Sequence, residues 1–99
     1  MLKKVNSVTI NDLSRKGWQL KNPLVIIMEQ RSEEDYVACF HDAYIYGYGD
    51  TSTEALDNLK ELMLDQLEFL LKEKEQIILG TIPQNQLDIL RFYIKKRSL

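Results

Sequence analysis

The sequence predicts an α+β fold: a small antiparallel sheet of three to four strands, one long helix packed on one face, and a short C-terminal helix. Three observations carry this. The β-type runs PLVIIMEQ, YVACF and YIYGYG follow one another within residues 23–49, separated only by polar turns. A helix-start signature at Thr51 and Glu54 comes directly after the third run. Apolar residues then recur at helical spacing to about residue 74.

The first run, 23–30, is apolar on both parities, with Leu24, Ile26 and Met28 on one side and Val25 and Ile27 on the other. It reads as a strand covered on both faces, opened by Pro23 where a missing donor is tolerated. RSEED, 31–35, is a polar turn, so 23–40 reads as a hairpin whose second strand is 36–40. After HDA the third strand, 44–49, has period-two alternation. Tyr44, Tyr46 and Tyr48 share one face; Ile45, Gly47 and Gly49 share the other. Two glycines on one face admit a close neighbour, such as the backbone of a helix.

Thr51 is a good N-cap, and Glu54 stands three positions on. In that pairing each side chain satisfies a free backbone donor of the other residue. Asp50 adds negative charge at the positive helix end. Ala55, Leu56, Leu59, Leu62, Met63, Leu67 and Leu70 form the core stripe of a helix from Ser52 to about Lys74. Leu64 and Leu71 widen the stripe beyond one sheet contact. They read either as a second surface, such as a dimer interface, or as two partly exposed leucines. Residues 76–82 read as the helix tail or a short fourth strand, ended by Gly80 and Pro83. Leu87, Leu90 and Tyr93 or Ile94 give a short helix over 84–96. TINDLSRKG, 9–17, reads as one helical turn with Asn11 or Thr9 as cap and Gly17 as stop.

The 99 residues fit one domain with one modest core. That core spans 23–75, with an N-terminal extension over 1–22 and a helical tail over 84–97. Apolar residues make up 44% and charged residues 28%, the balance of an ordinary globular chain. No apolar run follows Lys3 and Lys4, so no secretory signal is read. PLVIIM is far too short to span a membrane. The single cysteine, Cys39, has no internal disulfide partner. These readings make a cytoplasmic protein the expectation, with no membrane partner. Charge is segregated: residues 1–21 carry net +4, 22–80 carry −9 and 81–99 carry +3. An acidic body disfavours nucleic acid and favours basic proteins. Only the basic tail, with Arg91, Lys95, Lys96 and Arg97, could reach phosphate.

Catalytic and metal chemistry find little support in the residues. His41 is the only histidine; Cys39 and Asp42 beside it do not make a zinc set. A Cys–His nucleophile needs a third, orienting group. The acids fall mainly on the polar side of the long helix, the usual solvated face, rather than converging on a magnesium site. Gly47 and Gly49 lack the spacing and following lysine of a phosphate loop. The expectation is a chain that is not an enzyme and has no cofactor or metal. The tyrosine face, which Tyr36 or Phe40 of the neighbouring strand could extend, reads as a protein interface, as ordinary cross-strand packing, or as a platform for single-stranded RNA bases. The platform reading lacks basic neighbours.

The order of these parts resembles the HicB-like antitoxin domain: a β-hairpin, a third strand, then a Gly-[Asp/Glu]-Thr-x-x-Glu-Ala-Leu start to the long helix. The matching residues are Gly49, Asp50, Thr51, Glu54, Ala55 and Leu56, with Asn58 and Leu59 beyond. DYVACF resembles the family's second strand, and the likeness covers roughly residues 23–75. The Pro-Asp-Leu-Pro-Gly segment common before the third strand is replaced by FHDAYIYGYG, and residues 81–99 are too few for a helix-turn-helix. The resemblance implies a partial RNase-H-like fold without nuclease chemistry. It also implies a binding module that neutralises a small basic HicA-like toxin RNase by protein contact. The alternatives are a stand-alone homo-oligomeric domain and, in third place, an RNA-binding domain. Tyr44, Tyr46, Tyr48, Leu64 and Leu71 are the candidate interface, with a dimer expected, and Thr51 and Glu54 are the structural cap.

Overall fold

The computed structural model describes residues 4–13 and 15–97. In chain order the elements are β1 (Lys4–Ile10), β2 (Trp18–Leu20), β3 (Leu24–Ser32), β4 (Asp35–Phe40), a 3-10 turn (His41–Ala43), β5 (Ile45–Gly49), α1 (Ser52–Gln76), α2 (Thr81–Tyr93) and β6 (Ile94–Lys96). Strands β1, β3, β4 and β5 form an antiparallel sheet in the order β1-β3-β4-β5, and β2 and β6 form a separate antiparallel ribbon. The α+β class and the helix pair are therefore as the sequence predicts. Among the described residues no helix is long and apolar enough to cross a membrane.

Alternation sorts the main sheet into two unlike faces. Leu24, Ile26 and Met28 of β3, Ala38 and Phe40 of β4, and Ile45 of β5 point to one side and are buried. Against them α1 packs Ala55, Leu59, Met63, Leu67 and Leu70, all buried in one cluster. Each large side chain so buried contributes about 1.5–3 kcal/mol. Gly47 and Gly49 lie on this same side, where α1 crosses β5. A Cβ on Gly49 would stand 2.5 Å from the backbone nitrogen of Ala55, so only glycine permits the approach. The Asn58 amide nitrogen adds a 2.6 Å hydrogen bond to the Tyr48 carbonyl oxygen.

The helix start forms with one change of partner. Thr51 Oγ1 accepts from the Glu54 backbone N–H at 3.1 Å, as expected of an N-cap. The Glu54 carboxylate reaches back to the N–H of Asp50, at 3.2 Å, rather than to that of Thr51.

Four expectations are corrected. Residues 9–17 do not form a helical turn: Thr9 and Ile10 close β1, which pairs with β3 along its whole length, and Ser14 lies outside the described residues. Strand β3 is covered on one face, not both, and Val25 is 58% exposed. Residues 94–96 leave the helix to pair with Trp18–Leu20. Residues 77–80 are neither helix tail nor strand, and Pro83 does not stop an element. It stands in the first turn of α2, where a missing N–H costs no intrahelical bond.

Candidate functional site

Among the described residues no helix covers the face of the sheet opposite α1. Register places Val5 beside Glu29, Thr9 beside Val25, Ile27 beside Cys39, Cys39 beside Tyr46 and Val37 beside Tyr48. Val37 and Cys39 are buried at its centre, while Val5, Val25, Tyr46 and Tyr48 remain exposed around them. Isolated exposed apolar residues are ordinary, but a set running from Val25 and Ile27 through Val37 and Cys39 to Tyr46 and Tyr48, across β3, β4 and β5, marks a surface for contact; toward β1 it gives way to Ser7 and Glu29, with Val5 beyond. Glu33 and Glu34 in the β3–β4 turn and Asp50 after β5 are exposed at one end of these strands. Arg31 at this end is paired with Glu29 at 2.9 Å, and Lys4 stands opposite Gln30 on the edge strand.

Of the three tyrosines, the structure keeps two together. Tyr46 and Tyr48 lie on this open face. Tyr44 precedes β5 in the left-handed region (φ 55°), ending the 3-10 turn, and so leaves the alternation. The residue is 78% exposed and borders a largely apolar groove of about 630 Å3 with Ile82 and Ile89 of α2. Tyr36 and Phe40 do not extend the aromatic face. Their register partners are Gly49 and Ile45, which puts them on the helix side. The neighbours that sequence reasoning missed are Val5, Val25, Ile27 and Val37; the apolar second parity of PLVIIM was the signal for two of them.

Leu64 is fully buried inside the chain and Leu71 is partly buried against the same core. The extra width of the stripe is used within the fold, because α1 packs on α2 as well as on the sheet. Leu87 and Leu90 of α2, Ile94 of β6 and Trp18 of β2 join the cluster that holds Leu64. These two leucines therefore present no separate surface to a partner.

The acidic side of α1 is not simply solvated. Arg15 donates to Glu61 at 2.5 Å, to Asp65 at 2.7 Å and to Glu68. These three acids lie along one helical face, so a single guanidinium ties the N-terminal segment to α1. The hydrogen bonds to Glu61 and Asp65 hold the Arg15 pKa above its ordinary value. Lys60 similarly reaches Asp12 at 3.4 Å.

Cys39 and His41 do not continue one strand. Strand β4 ends at Phe40, and His41 opens the 3-10 turn, where its ring meets that of Tyr46 edge-on at 6.1 Å. Burial, and then the charge of Glu29, push the Cys39 thiol up, away from the reactive thiolate. Among the described residues no group of three or more His, Cys, Asp or Glu side chains is placed to hold a metal ion. No family model, curated protein or solved structure matches this chain.

Proposed function

We propose that the chain is a non-catalytic binding module, resembling a HicB-like antitoxin, that neutralises a small basic HicA-like toxin RNase through the open sheet face. The single observation carrying this reading is the bare, contiguous apolar face with Tyr46 and Tyr48 at its β5 edge and an acidic turn beside it. Tyrosine offers a rigid aromatic contact without needing positive charge nearby, and partly exposed aromatics are the usual anchors of protein interfaces. The acids at 33–35 favour a basic partner and speed its encounter. A toxin covered in this way loses access to its RNA. The second reading is a homo-oligomer through the same face, since Val5 and Val25 are uncharged and suit another copy of themselves.

Co-expression with a small basic HicA-like toxin tests the proposal. The expected result is a complex that survives gel filtration and relieves the growth arrest caused by the basic protein alone. Tyr48→Lys, which sets positive charge against a basic partner, should abolish both effects while leaving the melting temperature unchanged. A complex indifferent to Tyr48→Lys overturns the assignment of the face. A dimer with no complex transfers the face to the second reading.

A further inference from the structure

A different part of the molecule gathers positive charge. Where the β2–β6 ribbon meets the end of α2, a pocket of about 250 Å3 is bordered by four basic residues: Lys21, Arg91, Lys95 and Lys96. Among the described residues no acid lines it; its other walls are Trp18, Leu67, Leu71 and Ile94. Among the described residues none of these four cations makes an ion pair, whereas Arg15, Arg31 and Lys60 all do. Glu68 and Glu75 border the adjoining hollow beyond Lys96, and Glu68 is already held by Arg15.

The end of α2 would ordinarily set negative partial charge beside such a pocket. Here its carbonyls are taken. Lys21 Nζ donates to the Arg91 carbonyl oxygen at 2.9 Å, Asn22 Nδ2 to that of Phe92 at 2.9 Å, and the Lys21 N–H to that of Tyr93 at 2.7 Å. The same bonds fix the Lys21 ammonium at the pocket wall. Lys96 Nζ stands 5.7 Å from the centre of the Trp18 ring. Like charges gathered around an apolar floor repel one another, and a bound anion relieves that repulsion.

We infer that this pocket binds a phosphate monoester carried on a small organic body, of mononucleotide size. A phosphate monoester brings nearly two negative charges and three strong acceptor oxygens at neutral pH, more than a carboxylate can offer four donors. The apolar wall takes the organic part. Trp18 is itself mostly buried, so it walls the pocket instead of stacking a base.

Trp18 is the only tryptophan, so its fluorescence reports the pocket directly. The test is a fluorescence titration of the full chain with adenosine 5′-monophosphate, with adenosine, and with a single-stranded RNA hexamer lacking terminal phosphates. The expected result is saturable binding of the monophosphate that weakens with added salt, and none of adenosine. Arg91→Gln and Lys95→Gln, both at exposed positions, should each weaken it about tenfold, as loss of one charge-assisted contact does. Lys4→Gln, in the edge strand of the main sheet and outside the pocket lining, should not. Thermal melts of each variant separate lost binding from lost fold. Equal binding of adenosine, no saturation by the monophosphate, or indifference to both Arg91→Gln and Lys95→Gln overturns the inference. Binding of the hexamer without the monophosphate overturns it too, because the site would then read a strand.

Discussion

A methyl group on Gly47 would stand 2.4 Å from the backbone nitrogen of Leu59. The Ala55 carbonyl oxygen, at 2.5 Å, closes the other side. Both neighbours are helix backbone, which cannot rotate away as a side chain can. Gly47→Ala must therefore push α1 off β5 and should cost about 3 kcal/mol, the upper end for overpacking. Gly80→Ala, where an added methyl group would meet only Pro83 Cδ at an ordinary 4.0 Å, should cost much less. Denaturant melts of the two variants check the contrast.

Thr51→Ala should cost about 1 kcal/mol, because the hydroxyl accepts the Glu54 N–H and nothing else replaces it. Thr51→Ser should be nearly silent. Equal losses in a urea melt would show that the methyl group, not the hydroxyl, matters.

The tyrosines should separate by position. Tyr46→Ala should weaken association through the open face by about 2 kcal/mol, roughly thirtyfold, with the fold intact. Tyr44→Ala should leave association unchanged, since Tyr44 sits outside the strand. Leu64→Ala should do the opposite of Tyr46→Ala: a loss of about 2–5 kcal/mol in stability and no direct effect on association. Light scattering and melting on the three variants give the comparison.

Cys39 should react slowly with a thiol reagent at pH 8 in the folded protein and fully once unfolded. Burial raises its pKa, so the thiolate fraction falls below that of a free cysteine, and the side chain is covered as well. The rate should climb as pH rises toward the raised pKa. Tyr46→Ala, which strips the residue directly across from Cys39, should speed the reaction at fixed pH.

Strands β3 to β5 and helix α1 were legible because their signals are local. Three strands sit in sequence order, and the glycines, the cap and the leucine stripe all act within a few residues of one another. Strand β1 was missed because Asn6, Ser7 and Thr9 dilute its alternation, although Val5, Val8, Thr9 and Ile10 are β-branched. Strand β6 was hidden for a different reason. Ile94 continues the helical spacing of Leu87 and Leu90, and only pairing with the distant Trp18–Leu20 segment draws it out of the helix. The open face was half legible: the tyrosine alternation was read, but not the left-handed residue that removes Tyr44 from it. The basic pocket was partly legible: Arg91, Lys95 and Lys96 belong to the tail that the sequence marks as able to reach phosphate, but Lys21 and the wall of Trp18, Leu67 and Leu71 come from segments that only the fold brings beside it.

The β2–β6 ribbon has a consequence for how the chain reaches its native state. Hairpin β3–β4, strand β5 and the start of α1 join neighbours in sequence and close small loops. The ribbon joins residues 18–20 to 94–96 and encloses almost everything else. Loop closure of that length carries an entropy penalty that is recovered only after the intervening core has formed. The ribbon is thus the last seam to shut and the first to open, and amides of Trp18–Leu20 and Ile94–Lys96 should exchange with solvent ahead of those in β3 and β4.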